Sequence, residues 1–560
     1  MRKELLKIRL LSLAAFYGIA IALASCSSEE NVQGGNKGPE NGEDKTLTTF
    51  MAGAPESRTS MNPATGAFFW EAGDYIYVQD DDNVWQKSSN APTVKTASYK
   101  FYVPGKFEAQ SSYRVYYPGK NGTKNEVTIP AAQTQTEPNS TAHFGASGDC
   151  ASALATKVVG ISGFSFTLDH QAAILYFQPY TTNTVLKNCY LTKIEVNSDD
   201  DITDTYTLDP VSGEITGTGT GKQITLTTKD PAPGSANEKG FPLTNTTANP
   251  AVNGAYMFIK PGTHKLKVRY WVKDYATNVE GSITKEFSSF FYDKNIYYDM
   301  LYDLQVPVYE NKYYMWDAQH DAWYGHYADQ PTYDGAPAGE HYPQSEAADP
   351  DRWYNTAYNP TVAINASHSC KDSPNANQMI WYCMKGAPHW DEQSLWGVMG
   401  HLHTGGMWFK KAQKIADDEG TTLAAMKNGY PDPNTGVMTD WRTKKQSDPG
   451  FPTMHPVDNP SGTVNGFQNN TVKPISALAS TADYFFLPIS GAFGVWSGMT
   501  LGSFVSRFMA GYGYYWSSNN VPSTGPTNSA VAFDFSKTSI TVSFNGAVLC
   551  GRYVEPQLFK

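Results

Sequence analysis

The 560-residue chain is 40% hydrophobic and 13% aromatic, with 17% charged residues, 47 Gly and 34 Pro. That much apolar and ring surface can bury a large core, which excludes a disordered or collagen-like polymer, and the length points to three or four domains rather than one. A formal charge of -11, with no basic stretch interleaved with aromatics, repels phosphate backbones and excludes nucleic acid as a partner.

Residues 1–25 read as a signal peptide: Arg2, Lys3, Lys7 and Arg9 precede an apolar run from Leu10 to Ala24 that is too short for a membrane span. The ending Leu23-Ala24-Ser25-Cys26 resembles the lipobox of bacterial lipoproteins, which implies a cut before Cys26 and a lipid on its thiol. Residues 26–44 hold too little apolar surface to fold and predict a flexible tether. Within the tether, Glu29 and Glu30 are similar to the signal that sends Bacteroidetes lipoproteins to the outer leaflet, so the outer membrane is the expected location.

Residues 45–308 show short alternating runs broken by turn residues. Tyr75-Ile76-Tyr77-Val78, Tyr113-Arg114-Val115-Tyr116-Tyr117 and Leu266-Lys267-Val268-Arg269-Tyr270 each predict a strand, and helical periodicity is missing. The expected fold class is mainly β, with two N-terminal β-sandwich subdomains at 45–170 and 171–308. The acid runs Asp80-Asp81-Asp82 and Asp199-Asp200-Asp201 lack calcium-loop spacing and read as hairpin tips.

Glu56-Ser57-Arg58-Thr59-Ser60-Met61, the run Phe69-Trp70-Glu71-Ala72-Gly73-Asp74, Phe166-Thr167-Leu168-Asp169-His170-Gln171 and Ala255-Tyr256-Met257-Phe258-Ile259-Lys260-Pro261-Gly262 resemble the fimbrillin (Mfa-like) proteins of Bacteroidetes. The resemblance implies transthyretin-like sandwiches, export as a lipoprotein, and loss of the first strand to a trypsin-like protease. It also implies partnership with other fimbrillin subunits by strand exchange. On that reading the strand lost spans about Thr46 to Arg58, with Arg58 as the cleavage site; an exposed turn arginine is the alternative.

From 309 to 560, Trp and His become frequent and regular alternation fades. Asp391 is an acceptable N-cap before Leu395, Trp396 and Met399 at helical spacing, and Phe409 to Ala416 suggests a second helix. The expected architecture is α+β. Asp483-Tyr484-Phe485-Phe486-Leu487-Pro488, Gly511-Tyr512-Gly513-Tyr514-Tyr515-Trp516-Ser517-Ser518 and Ala530-Val531-Ala532-Phe533-Asp534-Phe535 resemble the ending of C-type-lectin-like domains. Cys550-Gly551-Arg552-Tyr553-Val554 departs from that pattern, and the calcium-binding sugar triplets of such domains are missing.

Without Cys26 the cysteines are odd in number; Cys370 and Cys383 would close a short loop and are the predicted disulfide, with free buried thiols as the alternative. His401-Leu402-His403 would put two imidazoles on one face of a strand, yet no third ligand is identifiable, so no metal and no cofactor are expected. Nucleophile elbows, HExxH and phosphate loops are missing, and a catalytic role is not expected. Trp316, Trp323, Trp353 and Trp390 belong to a tryptophan-rich stretch that predicts ring platforms for a glycan or protein ligand. These readings combine into a fimbrial tip subunit or adhesin, placed at the tip because the chain runs on into an extra domain in place of a donor strand. The alternative is a cell-surface glycan-binding lipoprotein for polysaccharide uptake.

Overall fold

The computed structural model describes residues 47–52, 60–62, 67–160, 162–333, 340–357, 362–456, 460–494, 511–522 and 529–560. Strand dominates, and the chain divides into two compact units. One comprises the described residues up to Tyr180, with Leu191–Trp271 and Thr284–Asp303; the other comprises Thr181–Tyr190, Val272–Ile283 and Leu304–Lys560.

Alternation sets the strands of the first unit. An eight-stranded sheet runs in the order Trp85–Lys87, Tyr77–Gln79, Ser112–Tyr117, Ala151–Lys157, Gly163–Phe166, Thr48–Ala52 and Tyr99–Val103, with Asp169–His170 added beside Ala151–Lys157. Phe50, Phe101, Val115 and Phe164 from its strands form one core with Trp70 and Ile76 from the connecting segments. A second sheet places Ala173–Tyr180 between Ala255–Ile259 and Tyr297–Asp303. Ala255–Ile259 is buried at every position, as expected of an unbroken apolar run covered on both faces. Leu266–Asp274 alternates buried and half-buried residues throughout.

Both acid runs sit at strand ends and are satisfied by the chain itself. Asp80 accepts the N–H groups of Asp82 and Val84 at the tip between two strands. Asp201 pairs with Lys260 at 2.9 Å and accepts from the Tyr206 hydroxyl and the Gly219 N–H.

In the second unit a seven-stranded sheet runs Tyr313–Tyr314, Arg552–Tyr553, Tyr512–Asn520, Ser529–Ser536, Ile540–Ala547, Val464–Asn469 and Thr453–Met454. A four-stranded sheet orders Lys473–Pro474, His389–Val398, His401–Lys410 and Tyr484–Pro488. The helix expected after Asp391 is instead a strand, and the hairpin turns at Met399 and Gly400, whose φ angles of 52° and 80° suit a two-residue turn. The second expected helix is shortened: Phe409 stays in a strand, and the helix is Ala412–Asp418. The longest helix among the described residues, Ala376–Lys385, starts at Asn375, whose side chain accepts the Gln378 N–H while Gln378 bonds back.

Candidate functional site

Thr48–Ala52, the first strand among the described residues, lies inside its sheet rather than at the edge. Thr48–Ala52 pairs parallel with Gly163–Phe166 on one side and antiparallel with Tyr99–Val103 on the other, placing Phe50 opposite both Phe164 and Phe101. Phe50 is fully buried, 5.1 Å from the Phe107 ring edge-on and 5.1 Å from the Phe164 ring in a stack. The backbones approach closely: a Cβ added at Gly163 would lie 2.8 Å from the Thr49 carbonyl oxygen. Taking this strand out would leave unpaired N–H and C=O groups along both neighbours, beside an apolar floor of Phe101, Phe107 and Phe164. Such a slot binds an extended segment by main-chain hydrogen bonds, with alternate side chains entering the core. Cys26, expected to carry the lipid, and Arg58, expected as the cleavage site, lie outside the described residues.

The tryptophan platforms expected in the second unit require correction. Trp316 and Trp323 are fully buried and Trp390 is nearly so. Trp353 is half-buried, packed against Tyr354 on the same core. Instead of facing a ligand, the indole N–H groups stitch the chain: Trp316 donates to the Ser517 carbonyl, Trp381 to Gly429, Trp396 to Gly405, Trp441 to Tyr430 and Trp516 to Tyr314. Among the described residues of this stretch, Tyr324 and Tyr327 have exposed rings.

The expected disulfide is also corrected. Cys370 and Cys383 are separate buried thiols, the first packed with Trp316 and Trp516, the second with Trp381 and Ile540. Cys370 accepts the Asp317 N–H, and Cys383 donates to the Ile540 carbonyl.

A polar cleft of about 400 Å³ opens at the start of the Ala376–Lys385 helix. Asn365, Asn375, Gln378, Ser373 and Ser518 contribute amides and hydroxyls, Lys371 and Lys427 contribute cations, and Tyr382 and Phe559 contribute ring surface. Arg442 also lines it, with its guanidinium engaged by Asp440 through bonds of 2.8 and 2.7 Å. Its volume lies within the usual range for small-ligand pockets. No local motif marks this cleft, because its residues are drawn from Asn365 to Phe559.

His401 and His403 do lie on one strand, as their spacing implies. His401 is taken up by Asp274, 3.0 Å from Nδ1, and His403 stacks on Trp396. Burial opposes ionisation of Asp274, but hydrogen bonds from His401 and the Leu402 and Ala276 N–H groups outweigh it and lower its pKa. Burial, reinforced by His401, pulls the His403 pKa down to about 4. The folded state therefore keeps His403 neutral while the unfolded chain protonates it near pH 6.5, so stability falls as pH drops from about 6.5 to about 4. Unfolding free energies from urea titrations across that window should fall by at most about 1.4 kcal/mol per pH unit from this group, and His403→Gln should flatten the slope.

Neither a family model nor a curated protein matches the chain. Among solved structures it is similar to a candidate cell adhesion protein from Bacteroides ovatus, at 14% identity and a TM-score of 0.29, covering 47% of this chain and 94% of that one. It is similar also to the fimbrial anchor protein Mfa2 from Porphyromonas gingivalis, at 11% identity and a TM-score of 0.21, covering 43% and 82%. A fimbrial protein from Bacteroides ovatus aligns over 91% of this chain and 99% of its own, at 10% identity and a TM-score of 0.21. Each overlay is loose and fixes no role for this chain.

Proposed function

We propose that this chain is a fimbrial subunit of the tip type. It is exported as a lipoprotein through Cys26, loses its first strand by cleavage at Arg58, and accepts a strand from a neighbouring subunit. The observation that carries this reading is the internal position of Thr48–Ala52, paired on both sides and holding Phe50 in the core. A removable strand at a sheet edge would open little; one between two partners opens a complete slot.

The tip assignment draws on the second unit, which is proposed as a lectin-like recognition domain. Arg552–Tyr553 pairs with Tyr313–Tyr314 on one side and with Tyr515 of the Tyr512–Asn520 strand on the other, and no cleavage site is proposed that would release it, which supports reading this late strand as part of its own sheet rather than as a donor. Recognition is assigned to the polar cleft in place of the buried tryptophans: its amides and hydroxyls, with Lys371, Lys427 and Asp372 supplying charges of both signs, suit a hydroxyl-rich glycan. The role is binding, not catalysis, at the outer surface of the outer membrane.

Digestion of the purified precursor with an arginine-specific protease tests the reading. The new N-terminus should be Thr59, and the trimmed chain should join a fimbrillin polymer that the uncut chain does not enter. A precursor left intact at Arg58, or a trimmed chain that never joins, overturns it. A lipoprotein that keeps its strand and binds soluble oligosaccharide through the cleft would then be the better account.

A further inference from the structure

We propose that His326, Asp329 and His341 form a binding site for a divalent transition-metal ion, with zinc the best match. Their ligand atoms all lie within 4.8 Å of one another. Nδ1 of His341 is 2.8 Å from Oδ2 of Asp329, and the His326 and His341 rings stack with centroids 4.8 Å apart and planes 13° from parallel. Two imidazoles and one carboxylate make up a donor set that zinc uses, whereas calcium and magnesium take oxygen ligands.

The backbone holds the three side chains in place. His326 caps the short 3-10 turn Tyr327–Asp329, and residues three apart overlie one another in such a turn, which brings Asp329 beside His326. The Tyr327 hydroxyl donates to Asp321 at 2.6 Å, and Asn311 and Gln330 exchange hydrogen bonds of 2.6 and 3.0 Å, fixing both flanks of the turn. His341 comes from outside the turn. Its carbonyl accepts from the buried Arg352 guanidinium, which also donates to the Ala322 carbonyl, so one arginine ties both halves together.

Ligands around a tetrahedral zinc are about 3.3 Å apart, so the present spread closes by small side-chain rotations. Asp329 and His341 are exposed and His326 is half-buried, leaving room for them. A plain ion pair between His341 and Asp329 leaves the stacked His326 without a role, whereas a bound cation uses all three groups. Three protein ligands also leave a fourth position for water or an exchangeable donor.

Calorimetric titration of the chelator-treated full chain with zinc chloride should show one ion bound per chain, undisturbed by excess magnesium or calcium. His341→Ala and Asp329→Asn should each weaken binding by about tenfold or more. Metal-free thermal midpoints of both variants should match the parent, since these side chains are at the surface. Zinc should raise the midpoint of the parent alone. No zinc binding by the parent, undiminished binding in both variants, displacement of zinc by calcium, or a variant that loses stability without metal would each overturn the proposal.

Discussion

Phe50→Ala is expected to lower the unfolding free energy of the uncut chain by about 3–5 kcal/mol, because the ring is fully buried against Phe107 and Phe164. Denaturant unfolding followed by aromatic circular dichroism measures it, and a loss below about 1 kcal/mol would show that the strand contributes little to this core. The strand-exchange reading adds a second result that a purely structural strand would not produce. In a chain cut after Arg58 and separated from its first strand, the same substitution is irrelevant, because the residue has left with the strand. A synthetic peptide covering Thr46–Ala52 should then bind the trimmed chain and restore its unfolding midpoint, while the peptide carrying Phe50→Asp should not, because a charge would enter an apolar floor. Equal rescue by both peptides would mean that the slot reads backbone alone.

The parts of the fold that were legible in the sequence are those where one local rule acts alone. Leu266–Asp274 alternates in sequence and in burial, and the aspartates at residues 80–82 form the hairpin tip their composition implies. Asp391 misled for a physical reason. Its carboxylate does accept the N–H groups of Gln393 and Ser394, the short-range bonds that make aspartate a good helix cap, but here they close a bulge where the strand register shifts between Asp391 and Leu395. The cap that does start a helix is Asn375 with Gln378 three residues on, which carries the same kind of local signal. The tryptophans misled in another way: composition counts rings but not the carbonyls that receive their N–H groups, and several of those acceptors lie far off in sequence, as Trp316 with Ser517 and Trp516 with Tyr314 show. The polar cleft and the His326, Asp329 and His341 cluster were illegible for the same reason, since each assembles only through the fold.

The second large effect is expected at the ion pair that fixes the late strand in its own sheet. The guanidinium of Arg552 contacts the Asp534 carboxylate with both side chains buried, and its positive face lies 4.9 Å from the Trp516 ring centroid and 5.1 Å from that of Tyr514. Arg552→Ala strands a carboxylate in the core and should cost about 3–5 kcal/mol, whereas Arg552→Met combined with Asp534→Leu removes both charges, keeps most of the volume and should recover most of that loss. The coupling energy from the double-mutant cycle separates the ion pair from simple packing. Hydrogen exchange adds the functional consequence. If Arg552 is what keeps its strand committed, the single variant should lose protection at Tyr553 and at its neighbour Tyr515, while the double variant keeps it. A single variant that loses global stability yet keeps those amides protected until full unfolding would show that the strand is held by its ladder and the surrounding core. Its place in the sheet would then rest on Tyr313–Tyr314 and Tyr512–Asn520 rather than on the charge pair.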